Sequence, residues 1–308
     1  MIISASRRTD IPNYYGEWFF NRIKEGFCCV RNPMNPHQVS RICLSPDVVD
    51  AIVFWTKNPE NMLDRLEELK EYHYYFQFTL TGYGRDIEPG IPNKPEHMMN
   101  VFRRLSDRIG PKRVIWRYDP ILINHTYNLA YHQKAFSKIA NGLKGYTEQV
   151  VISFVDVYAK TRRAMEQLQV HSIAETDMIT LARNMAGIAK NSQMEIVSCG
   201  EQMDLQTAGV RRGSCIDRER IEMIVGCKLE GKRDKNQRAE CGCLESVDIG
   251  TYDTCRNGCK YCYANRSDKR VTSNIRLYDV NSPLLCGEII PEDRITERMC
   301  VSLKCAES

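Results

Sequence analysis

The chain of 308 residues lacks any apolar run approaching the ~20 residues a membrane-spanning helix requires, so no membrane partner is expected. It also lacks a charge bias. Its 43 basic and 39 acidic residues leave +4, and residues 200–308 carry 18 of each. That balance does not match the basic stripe of a dedicated nucleic-acid binder and argues against extended duplex binding. The six histidines (37, 73, 97, 125, 132 and 171) are scattered, with no H-E-x-x-H or paired arrangement, and are read as surface or structural residues. No sequence unit repeats. The opening stretch, MIISASRRTDIP, has no charged leader ahead of an apolar core, which predicts a cytoplasmic protein. Cysteine is missing from residues 51–198, although the chain has 14. Three precede that gap, and eleven follow from Cys199 onward. Cytosolic thiols stay reduced, so this crowding points to metal chemistry rather than disulfides.

The first two hundred residues alternate short β-rich runs with helical stripes. Strands are expected at 2–6, 51–55, 74–80, 114–117, 150–155 and 195–198, most of them apolar throughout, as strands covered on both faces should be. Helical stripes run through Met62, Leu63, Leu66 and Leu69, through Val101, Phe102, Leu105 and Ile109, and through Met178, Leu181, Met185 and Ile188. Alternating strands and helices imply βαβ units and a parallel sheet. Polar residues gather at each strand's C-terminal end, where parallel barrels carry their chemistry. They include Arg7, Arg8 and Asp10, Thr56 and Lys57, Thr79 and Thr81, Arg117 and Asp119, Asp156, and Glu201. Residues 228–238 (KLEGKRDKNQR) read as a solvated turn or helix end.

The remaining distinctive stretch is CRNGCKYCYAN, where Cys255, Cys259 and Cys262 stand in C-x3-C-x2-C spacing with Tyr261 before the last. Soft thiolates suit iron–sulfur clusters, zinc or copper(I). A structural zinc takes four protein ligands, and this loop offers three. Three thiolates around a [4Fe–4S] cubane would leave one iron open to a small molecule. A zinc knuckle and a disulfide cluster are the plain alternatives.

The loop resembles that of the radical S-adenosylmethionine enzymes, C-x3-C-x-aromatic-C, and Tyr263-Ala264 is similar to the spore photoproduct lyase branch. The resemblance implies a [4Fe–4S] cluster whose open iron binds S-adenosylmethionine, and an electron donor such as a flavodoxin or ferredoxin. It further implies reductive cleavage to a 5′-deoxyadenosyl radical acting on a small-molecule or nucleotide-like substrate. In most of these enzymes the loop follows the first barrel strand, whereas here it follows residues 246–250, which read as the last. The architecture expected is therefore α/β, a permuted, partial βα barrel with parallel strands. Residues 1–200 would form its core and residues 201–308 a cysteine-rich iron–sulfur segment closing it. From SASRRTDIP through VFWTKNP, WRYDP and DIGTYDTC to the cysteine loop, the whole chain resembles the uncharacterised family designated domain of unknown function 1848.

Within this picture Lys57 and Arg117, then Arg7 and Arg8, are candidates to pair with the cofactor carboxylate. Asp119 or Glu201 would accept from the ribose, with Thr56 and Tyr261 nearby. Arg117 and Asp119 are equally read as a structural pair capping the barrel. The aromatics Trp55, Tyr118, Tyr252 and Tyr261 are expected to shield the mouth. The Gly-Gly-Glu segment usual in the resembled enzymes is not evident; Cys199-Gly200-Glu201 echoes it in part. Cys199, Cys215, Cys241 and Cys243 are candidates for a second [4Fe–4S] cluster or a structural zinc. Cys28, Cys29, Cys43, Cys227 and Cys286 read as small buried apolar residues, a reading that leaves the tail pair Cys300 and Cys305 open.

Overall fold

A computed structural model describes residues 1–92 and 94–305. Its strands, in chain order, are β1 (Ile2–Ala5), β2 (Phe27–Arg31), β3 (Gln38–Cys43), β4 (Ala51–Thr56), β5 (Tyr74–Thr79), β6 (Val114–Ile121), β7 (Gln149–Phe154), β8 (Glu195–Ser198), β9 (Arg211–Arg212), β10 (Val247–Asp248) and β11 (Arg294–Glu297). Eight of them make one sheet, ordered β10-β1-β4-β5-β6-β7-β8-β9, with every neighbouring pair parallel. This is a partial α/β barrel. The strand before the cysteine loop lies against β1, with Ile3 opposite Val247 and Ser4 opposite Asp248, as the permuted order requires.

Strand alternation sorts the side chains into two layers. Ile2, Val53, Tyr75, Ile115, Val151 and Val197 face inward and pack with Cys215, Cys241 and Cys243. Their neighbours Ile3, Phe54, Phe76, Trp116 and Ile152 face outward against the helical layer, which contributes Phe19, Leu63, Phe102 and Phe136. Phe54 and Phe76 stack at 4.7 Å and Trp116 and Phe136 at 4.8 Å. Truncating one such ring to Ala removes ~3–5 kcal/mol.

Residues 60–69 wind as a 3₁₀ helix rather than an α-helix. Leu63, Leu66 and Leu69 recur every three residues, so the tighter turn buries all three on one line. The sequence reading omitted four strands. The antiparallel pair β2 and β3, joined in parallel by β11, forms a second small sheet, and β9 is a two-residue edge. Cys28 and Cys29 are buried there as expected, whereas Cys43, Cys227 and Cys286 are only partly covered, as is the tail pair Cys300 and Cys305 that the sequence left open. Residues 228–238 are largely exposed, as expected of a solvated turn, with anchors at a few positions. Asp234 is buried, and Arg233 donates to the carbonyls of Cys241, Arg238 and Ala239. Segments after residue 200 interleave with the earlier ones, through β10 on β1 and β11 on β3. No helix among the described residues is long and apolar enough to cross a membrane.

Candidate functional site

At the C-terminal strand ends a cavity of about 330 Å³ opens, within the range of small-molecule sites. Cys255, Tyr261 and Cys262 from the cysteine loop line it, together with all four of Cys199, Cys215, Cys241 and Cys243. Arg7 and Arg8 after β1, Thr56 and Lys57 at the end of β4, and Arg117 and Asp119 on β6 complete the wall. Two predicted residues lie outside that lining. Cys259 sits beside Lys57 and Glu88, whose charges act on its thiol. Glu201 turns its carboxylate to the Phe154 N–H at 2.7 Å, and burial pushes its pKa up to about 7.

The cysteine loop is held by groups that pattern reading did not single out. Asn257, inside the loop, is buried. It donates to Asp10 Oδ2 at 2.9 Å and accepts from Asn13 Nδ2 and the Tyr14 hydroxyl at 3.1 and 2.8 Å. Asp10 also accepts from the Lys57 N–H at 2.8 Å, so one carboxylate ties the ends of β1 and β4 to the loop. On the other side Gly90 N–H donates to Asn257 O at 3.0 Å. A Cβ at Gly90 would stand 2.8–2.9 Å from the backbone of Arg256 and Asn257, which is why no side chain fits there. On β10, Asp248 accepts from Ser4 Oγ, Ser6 Oγ and the N–H groups of Arg7 and Gly250, fastening this strand to β1.

Two of the predicted cations are hydrogen-bonded to acid partners, while Arg7 and Arg8 have an acid only at 3.9 Å. Lys57 Nζ donates to Glu88 at 2.9 Å, and Glu88 also accepts from Lys94, Thr81 and the Tyr261 hydroxyl. Burial by itself would raise the Glu88 pKa, but the charges of Lys57 and Lys94 outweigh it and bring it down to about 2. Arg117 is bound through Nε and Nη2 to Asp119 and through Nη1 to Cys215 Sγ at 2.7 Å. Burial opposes its charge, yet Asp119 and the nearby thiols hold its pKa well above the usual value. Arg7 differs. Its Nη1 lies 3.9 Å from Asp234 and its guanidinium 5.0 Å from the Trp55 ring, while its Nη2 is buried without a hydrogen-bond partner. Arg8 is placed over the Tyr252 ring at 5.0 Å and donates to Gly250 O.

Tyr118 is not at the mouth. It lies between the inward-facing Arg117 and Asp119, so alternation turns it outward, where its hydroxyl meets His132 Nδ1 at 2.9 Å. Trp55 and Tyr261 do line the cavity.

Among the thiols, burial pushes Cys255 well above its ordinary pKa and Cys259 up to about 12. These sulfurs would become ligands only by exchanging their protons for a metal. The other set behaves as one group. The Sγ atoms of Cys199, Cys215 and Cys243 lie within 4.8 Å of one another, and Cys199 and Cys215 are 3.0 Å apart. Hydrogen bonds from the Cys199 thiol lower the pKa of both Cys241 and Cys243. A group of three or more thiols at this spacing is a candidate metal site.

A parallel, partial α/β barrel with a cysteine-lined cavity at its strand ends defines the class of protein. The chain belongs to the family described as Domain of unknown function (DUF1848), whose model matches residues 2–264. The match ends just beyond Cys262 and so includes every cysteine that lines the cavity. No curated protein and no solved structure matches the chain.

Proposed function

We propose that the protein is a radical S-adenosylmethionine-type enzyme, with a [4Fe–4S] cluster on Cys255, Cys259 and Cys262 and S-adenosylmethionine in the adjoining cavity. When bound, these groups supply one electron and a cleavable sulfonium, the source of a 5′-deoxyadenosyl radical. One observation carries the reading. Cys255 and Cys262 open into the same cavity as Arg7, whose buried Nη2 lacks a partner. A carboxylate there would satisfy that donor, and an Arg fork suits one bidentately. Arg7 thus takes the role that sequence gave first to Lys57 and Arg117. Lys57, held by Glu88, keeps a positive charge beside Cys259 that opposes the effect of burial on its thiol. Asp10 and Asn257 fix the loop's backbone, and Trp55 and Tyr261 limit water at the wall.

The test is anaerobic purification with iron and sulfide analysis, then reduction in the presence of S-adenosylmethionine. The expected result is about four irons at this loop and release of 5′-deoxyadenosine, both lost in Cys255→Ala, Cys259→Ala and Cys262→Ala. A second reading, an iron–sulfur protein for binding or electron transfer, is favoured by the commitment of Lys57 and Arg117 to Glu88 and Asp119. An intact cluster that never cleaves the cofactor would select it.

A further inference from the structure

The main sheet does not close through its edges. Its outermost strands are β9 and β10, which do not pair with each other. The segments leaving β9 and entering β10 meet instead through Leu244 N–H to Ile216 O at 3.1 Å and Ile216 N–H to Cys243 Sγ at 3.3 Å. Four cysteines stand along this seam. Cys199 follows β8, Cys215 follows β9, and Cys241 and Cys243 precede β10. The sulfurs of Cys199, Cys215 and Cys243 are mutually within 4.8 Å, and the Cys241 thiol interacts with those of Cys199 and Cys243.

The spacing separates two kinds of metal site. One tetrahedral ion with bonds of about 2.3 Å holds its sulfur ligands ~3.8 Å apart. A cubane places irons and inorganic sulfides between its thiolates and needs a wider frame. Cys199, Cys215 and Cys243 have the compact spacing, with Cys241 beside them but beyond 4.8 Å from at least one of the three. Among the described residues Cys255, Cys259 and Cys262 do not form such a trio, so at least one of their separations is larger.

We propose that Cys199, Cys215, Cys241 and Cys243 hold a single tetrahedral ion of the zinc type, which closes the barrel's open seam. Four protein ligands leave no open position, so the site is structural and separate from the chemistry at the cysteine loop. On binding, each thiol gives its proton to solvent, and the resulting thiolate charge has donors ready for it. Arg117 Nη1 reaches Cys215 Sγ at 2.7 Å, and the Ile216 N–H points at Cys243 Sγ. Such outer donors orient metal-bound sulfurs and offset their charge. Arg117 is accordingly a positioning residue that links this site to Asp119 on the cavity wall.

The inference does not depend on the cofactor reading above, because it is tested in a full-length chain lacking that loop's thiols. Cys255→Ala/Cys259→Ala/Cys262→Ala is purified from medium containing both zinc and iron, and assayed for zinc, iron and acid-labile sulfide. The expected result is one zinc per chain and no sulfide. Exchange with Co²⁺ should give the intense visible bands of tetrahedral thiolate coordination. Adding Cys243→Ser should take the ion from one per chain to none. If that variant does not fold, the triple variant titrated with a mercurial should release one ion, measured with a colorimetric chelator. Iron with matching sulfide retained at this site, or no metal retained at all, overturns the proposal.

Discussion

Glu88→Gln tests the charged assembly beneath the cysteine loop. Glu88 is almost wholly buried and bonds to Lys57, Lys94, Thr81 and Tyr261. Its carboxyl moves from 4.5 to about 2 on folding. At ~1.4 kcal/mol for each tenfold change in proton affinity, that corresponds to ~3 kcal/mol of stability at neutral pH. The substitution also leaves two ammonium groups without their acid, and breaking a buried ion pair from one side costs ~3–5 kcal/mol. Both routes give the same size. Because the folded pKa is depressed, this stability is fully present above 4.5 and is lost as the pH falls through about 2. Urea unfolding of both chains under reducing, anaerobic conditions should therefore differ by ~3 kcal/mol at pH 7, narrowing to ~1 kcal/mol at pH 3. A difference below ~1 kcal/mol at pH 7, or one unchanged between the two pH values, would refute the reasoning.

Gly90→Ala should destabilise the chain by ~1–3 kcal/mol and reduce metal occupancy of the cysteine loop, because the new methyl meets the Arg256–Asn257 backbone. Gly187→Ala, in the helix Glu175–Asn191 with nothing within 4 Å, should instead stabilise by ~0.5–1 kcal/mol, as thermal melts will register. Arg7→Met should weaken S-adenosylmethionine binding at least ~10-fold by calorimetry, in line with ~1.5–3 kcal/mol for a charged hydrogen bond, while leaving iron content intact. His132 is buried against Tyr118 and Leu122 O, and burial brings it down to about 4. Its ring should stay neutral by NMR at pH 6, and its contribution to stability should fall as pH drops from 6.5 towards 4.

The main strands were legible because both layers around the sheet are apolar, so runs such as AIVFWT and YYFQFT stand out unbroken. The permuted order was legible too, since the cysteine loop identifies its preceding strand by chemistry rather than by pattern. The small second sheet was not. β3 (QVSRIC) carries polar and charged side chains at half-exposed positions, and β11 (RITE) is almost wholly exposed, so neither shows an apolar period. Lys57 and Arg117 were found as strand-end cations, and the Arg117–Asp119 pair, two residues apart on β6, was legible as a structural pair, but the saturation of Lys57 by Glu88 depends on where residues 82–92 return across the barrel end. The only hint of Glu88 was its place in a glycine- and proline-rich turn, TGYGRDIEPGIP. Asn257 and Gly90 carry no signal beyond their neighbourhood. Their roles come from a contact between two loops 167 positions apart (257 − 90).

The position of β10 also bears on biosynthesis. Ser4 and Ser6 find their acceptor only in Asp248, more than 240 residues further on. A ribosome therefore makes seven strands of the main sheet before the second neighbour of its first strand emerges. Throughout that interval one flank of β1 has unpaired backbone amides and carbonyls, the kind of template on which nascent chains stick to one another. The same late segment brings the loop thiols, so the cysteine loop settles over the barrel end only once the rest of the sheet has been made.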